Sequence, residues 1–165
     1  MKRLVNIILC VCLILPLVSC GDPQKNGAED VLRLYLADNE ALYEAYHLTH
    51  TPGADDTETP IREVLKTQAG ELVSEEFIED FARGSTFSTF SLLIWRNEFT
   101  AKIKTMSLEE CPEGYLFDTV VRVVLPDGST MDAFLNGTVE LDETGKTRNI
   151  SLGGTGMEEL MKLAR

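Results

Sequence analysis

The hydrophobic period of the chain changes near Asn97, and this change limits it to folds in which helices come first and a sheet follows. Upstream, apolar residues recur every three or four positions; downstream they recur every second one. Phe99, Ala101, Ile103 and Thr105 alternate with Thr100, Lys102, Lys104 and Met106, which predicts a first strand. Phe117, Thr119, Val121, Val123 and Leu125 alternate with Asp118, Val120, Arg122 and Val124 and predict a second. Pro126-Asp127-Gly128 suits a three-residue hairpin loop, because proline sets the first type I position and glycine supplies the left-handed one. Such a loop sets Val123 opposite Met131 and Val121 opposite Ala133, so the apolar faces of both strands coincide. A third strand is expected to about Leu141, a turn at Asp142-Glu143-Thr144-Gly145, and a fourth strand with Ile150 and Leu152. Met157, Leu160 and Met161 then predict a short final helix.

Before Asn97 the spacing predicts helices. Asn26 is placed to cap a long amphipathic helix starting near Ala28, with Leu32, Tyr35, Leu36, Tyr43 and Tyr46 on one stripe. The breakers from Thr51 to Asp56 end it, and Thr59-Pro60 reads as cap and first position of a second helix that stops at Gly70. Ser74 can cap a third helix, whose Phe77, Ile78, Phe81 and Ala82 face inward and whose acids occupy the first turn and the wet side. Phe87 to Trp95 predicts a short fourth. The layout is α+β, with N-terminal helices packed on one face of a curved four-stranded antiparallel sheet.

The first twenty residues obey a different logic. Lys2 and Arg3 precede an apolar stretch from Leu4 to Val18, broken only by Asn6 and Pro16, and Ser19-Cys20-Gly21 comes next. That order is a signal peptide, and it is short for a permanent span of about 20 residues. Leu17-Val18-Ser19-Cys20 resembles the bacterial lipobox. The resemblance implies cleavage before Cys20 and attachment of diacylglycerol to its sulfur, with fatty chains such as palmitate as the membrane anchor. Residues 1–19 are then the lipoprotein signal, residues 20–27 the lipidated Cys and a short tether, and residues 28–165 one domain. Two or three acyl chains hold a protein stably where one does so only marginally. The seven residues from Gly21 to Gly27 reach at most about 25 Å, which keeps the domain near the bilayer.

Without its signal the chain has 13 basic and 27 acidic residues, a net charge of −14. That field repels phosphate backbones and disfavours nucleic acid as a partner. Cys10 and Cys12 leave with the signal, Cys20 would be acylated, and Cys111 has no partner, so no intramolecular disulfide is available. Gly21 rather than Asp succeeds the cysteine, so the usual inner-membrane retention signal of diderm bacteria is missing. The expected location is the outer face of the cell membrane, or the outer membrane in a diderm host.

The order of three helices and a four-stranded meander over roughly residues 28 to 152 resembles the nuclear transport factor 2-like (cystatin-like cone) superfamily. Pro126 to Gly128 and Asp142 to Lys146 are similar to turns common in its extracytoplasmic lipoproteins. Enzymes of that superfamily, isomerases and cyclases, imply an Asp base and an acid such as Tyr in the open end of the cone. Here Asp118 and Asp132 fall on the sheet face opposite Val121 and Ala133, with Arg122 beside Asp118 as a surface ion pair. His47 and His50, the only histidines, have the spacing of two zinc ligands, yet many helix ends carry such histidines beside the dipole, and a helix-end or loop role is the expected one. Asp55, Asp56 and Glu58 do not match a calcium loop, and Cys111 has no local base to activate it. No nucleophile elbow, phosphate loop or dinucleotide fingerprint is present, and no cofactor is indicated. The expectation is a membrane-anchored, non-catalytic domain binding an unknown protein or small ligand through a cone pocket or the outer sheet face. The alternatives are a small-molecule isomerase or cyclase and a structural accessory of an envelope complex.

Overall fold

A computed structural model describes residues 22–49, 58–84 and 89–164. Within them five helices precede the sheet: α1 (Pro23–Leu36), α2 (Glu40–Thr49), α3 (Thr59–Ala69), α4 (Glu75–Ala82) and α5 (Thr89–Arg96). Strands β1 (Thr100–Cys111), β2 (Gly114–Val124), β3 (Thr130–Leu141) and β4 (Thr147–Gly153) form an antiparallel meander, and α6 (Thr155–Leu163) closes it. This is the expected α+β architecture.

Hairpin chemistry fixes the register of the sheet. Val123 pairs with Met131 and Val121 with Ala133, as the loop length requires. Leu125 and Ser129 bracket the loop, and Gly128 adopts φ +81, which only glycine accepts at no steric cost. One row of side chains, including Phe117, Val121, Val123, Ala133, Val139 and Ile150, is therefore sealed from solvent. These residues form a single cluster with Leu32, Tyr35 and Leu36 of α1 and with the Phe77, Ile78 and Phe81 face of α4. Where β4 stops, α6 lies on β3 so closely that a Cβ on Gly156 would meet the Phe134 nitrogen at 2.6 Å.

Four details differ from the expected layout, the smallest being that α3 starts at Thr59 itself, with Glu58 at its cap. The first helix begins at Pro23, with Asp22 rather than Asn26 as its cap, so residues 23–27 are helical rather than an extended tether. The expected long helix is also two helices. Asp38 leaves the helical path to pair with the start of β1: its nitrogen donates to the Ala101 carbonyl at 2.9 Å, and its carboxylate accepts from the Ala101 nitrogen at 2.6 Å. Asn39 then caps α2 through the Leu42 nitrogen. Finally, β1 carries a bulge between Ile103 and Thr105. The extra residue, Lys104, reverses the facing of the remainder of the strand, so that Thr105 is exposed while Met106 and Leu108 turn toward the core. Buried Thr119 donates its hydroxyl to the Thr105 carbonyl at 2.8 Å and so satisfies the bulge.

Both edges of the sheet are partly occupied. The Asp38 segment lies on β1, and the α3–α4 link lies on β4 through Leu72, Ser74 and Thr147. Such coverage blunts the tendency of free edges to pair with other chains.

Candidate functional site

The interior of the cone is filled by side chains. Among the described residues the buried side chains that carry polar groups are Ser91, Thr119 and Thr147, with their hydroxyls, and the buried Tyr and Trp, with their polar tips, and no Asp, Glu or His is buried. Ser91 donates to the Tyr35 carbonyl at 3.0 Å. Among the described residues the hydroxyls of Tyr35 and Thr147 are buried without a hydrogen bond, and Tyr35 is the one that titrates. It lies against the Phe90 main chain, and burial pushes its pKa up strongly, so it stays a neutral phenol. A lone phenol without a base beside it has nothing to which it can pass a proton.

The chemistry sits outside, on the open face of the sheet. Asp118 and Asp132 point away from the core, as the register requires, but the partner of Arg122 is Asp132 rather than Asp118. Arg122 lies directly across the ladder from Asp132 and donates to both carboxylate oxygens, at 2.9 and 3.2 Å. Lys104, the extra residue of the bulge, reaches the same carboxylate at 2.8 Å. Arg122 first and Lys104 second hold the Asp132 carboxyl below its usual range. Such exposed pairs contribute little to stability, because water and salt screen them.

Beside this triad a shallow depression of about 390 Å³ crosses three strands at one level. Thr105, Ser107 and Asp118 line it from β1 and β2, and Phe134 and Asn136 from β3. Phe134 is 60% exposed and Leu116, on the same face, 47%. Single exposed apolar side chains are ordinary on a protein surface; what sets these two apart is that they share one open sheet face. The outer surface carries Phe134 beside Val120 at one level and Leu116 at another, with Asp118 and Asn136 between them and the Arg122–Asp132–Lys104 triad at one end.

The other sequence candidates do not converge on a site. Cys20 and the lipobox lie outside the described residues, as do His50, Asp55 and Asp56. His47 is exposed on α2, its ring against Tyr43 at 4.3 Å and Tyr46 at 5.5 Å. Among the described residues no group of three His, Cys, Asp or Glu is placed to hold a metal ion. Cys111 is a half-buried free thiol that ends β1, in a cleft lined by Glu110, Glu113 and Asp142, with no imidazole or cationic side chain of the described residues in the lining. No helix among the described residues is long and apolar enough to cross a membrane.

Spacing alone gave no sign of a second concavity, between α2 and the start of β1, where Tyr43, Trp95 and Phe99 meet Asp38, Glu40 and Glu98. Its parts come from two stretches, residues 38–43 and 95–100, that are distant from each other in sequence, so no local pattern announces it. Compared with protein-family models, with curated proteins and with solved structures, the chain matches none.

Proposed function

We propose that this chain is an envelope lipoprotein, anchored through Cys20, whose domain binds a protein partner on its outer sheet face and catalyses no reaction. The observation that carries the reading is the contrast between an interior in which no carboxylate or imidazole of the described residues is buried and an outer face that leaves Phe134 and Leu116 in solvent. Catalysis by an isomerase- or cyclase-like cone needs a titratable group in an apolar cavity. A partner surface needs an apolar centre with a polar rim.

The start of α1 supports an anchor close to the domain. Asp22 accepts a hydrogen bond from the Tyr115 hydroxyl, and Gln24 lies against Gly145. Both contacts fall at the end of the sheet that holds the β1–β2 and β3–β4 turns. Cys20 precedes Asp22 by two residues, a reach of about 7 Å. That end then faces the lipid, and the Pro126–Gly128 hairpin stands about 35 Å away. The outer sheet face would be presented side-on above the bilayer, open to another envelope protein.

Two measurements test the two halves. The mass of the mature chain from bacterial membranes is expected to correspond to a start at Cys20 plus its lipid, and a start elsewhere or an unmodified Cys20 would refute the anchor. For the binding half, the full-length chain solubilised in neutral detergent is expected to hold its partner in a fixed ratio. Phe134→Asp should lose that partner while keeping the parent circular dichroism, whereas retention of the partner would remove the sheet face from the account.

A further inference from the structure

We infer that the cleft between α2 and the start of β1 is a binding site for an organic cation, an alkylammonium group carried by a small molecule. This site is independent of the lipid anchor and of the sheet face. The cleft measures about 280 Å³, near the lower limit for a ligand pocket and suited to a group of a few heavy atoms. Its walls are aromatic: Tyr43, half open to solvent, with Trp95 and Phe99, which are largely buried. Tyr46 and Phe81 pack on Trp95 at centroid distances of 5.5 and 6.5 Å and hold the indole in place. Three acidic residues, Asp38, Glu40 and Glu98, also line the cleft, and among the described residues no lysine or arginine does.

Aromatic faces attract a cation through the ring quadrupole, and carboxylates in the lining add charge attraction; together they reject anions and give a neutral group little. The carboxylates are available for this role. Asp38 commits one oxygen to the Ala101 nitrogen, and none of the ion pairs among the described residues involves Asp38, Glu40 or Glu98.

The backbone at Glu98 adds a second reason. At the end of α5 the Glu98 nitrogen donates to the Trp95 carbonyl and the Phe99 nitrogen to the Ile94 carbonyl, the pair of bonds that closes a helix through a left-handed residue. Glycine is the usual occupant of that position, yet here it is glutamate, with φ +54, the only non-glycine residue of positive φ among those described. The chain accepts a strained residue where glycine would be easier, and the side chain it gains is a carboxylate of the cleft lining.

Trp95 is the single tryptophan of the chain, so its fluorescence reports on this cleft. The experiment titrates the full-length chain, in neutral detergent, with n-butylammonium, with 1-butanol and with butyrate. Butylammonium is expected to give a saturable change in the millimolar range, and the other two at least about tenfold weaker responses. Glu98→Gly should bind butylammonium about fivefold or more weakly while melting at a higher temperature than the parent. Those two effects move in opposite directions, and a merely structural role for Glu98 would not separate them. Glu40→Gln provides a second variant with an unstrained backbone and should also bind more weakly. Equal responses to butyrate and butylammonium, or unchanged affinity in both variants, would overturn the site. Tenfold tighter binding of Nα-acetyl-lysine methylamide would overturn the small-molecule assignment and make a protein lysine the source of the ammonium.

Discussion

The inner and outer faces of this sheet come from alternate residues of the same strands, yet they answer to different physics. On β2 the odd positions from Tyr115 to Val123 are buried, while Leu116, Asp118 and Arg122 are exposed. The inner row is selected for volume and apolarity, because every atom there meets another protein atom. The outer row is free of that demand, and it holds both the fixed charge triad around Asp132 and the open Phe134. Stability should therefore respond to the inner row and binding to the outer one.

The largest break in that contrast should come from Phe117→Ala. The Phe117 ring covers Gly137 of the next strand and is 2% exposed, so truncation leaves a cavity costing about 3–5 kcal/mol. In a chain of this size the melting temperature should fall by roughly 10 °C, measured by circular dichroism. Gly156→Ala comes next, at about 1–3 kcal/mol, because the new methyl would press on the Ala133 and Phe134 main chain and push α6 off β3. Chemical denaturation should show it as a lower midpoint.

A smaller effect sharpens the account of the anchor end. Tyr115→Phe removes the hydrogen bond to Asp22 and should cost about 1 kcal/mol. Burial first, and the Asp22 carboxylate second, push the Tyr115 pKa up to about 12. An unfolded tyrosine ionises near about pH 10, so this contribution is complete below that pH and is lost as pH rises toward 12. Parent and Tyr115→Phe denaturation midpoints should accordingly converge between pH 9 and pH 12. The smallest effect is expected for Phe134→Ala, at about 0.5 kcal/mol or less on stability, although it lies only one residue from fully buried Ala133.

Local rules made the β half of the molecule legible. Pro126-Asp127-Gly128 determines a loop length, loop length determines register, and register decides which residues are sealed. The helical half was less legible where distant partners intervene. The apolar stripe from Leu32 to Tyr46 reads as one helix because nothing local reveals that Asp38 is taken by Ala101, 63 residues on. The bulge at Lys104 left a faint trace, since apolar residues sit at odd positions up to Ile103 and at even positions from Met106. Asp22-Pro23 likewise carried the cap and first-turn signature that Asn26 displaced in the reading of the sequence. Neither the outer platform around Phe134 nor the cleft around Trp95 has a motif, because each is assembled from segments that only the fold brings together.

The division of labour between the faces is tested most directly by photo-crosslinking in intact envelopes. A benzophenone side chain placed at Phe134 is compared with one at Glu159, an exposed position on α6. The account predicts one discrete protein adduct from position 134, absent from position 159, with both chains folded as the parent. No adduct from position 134, or the same adduct from both positions, would contradict it.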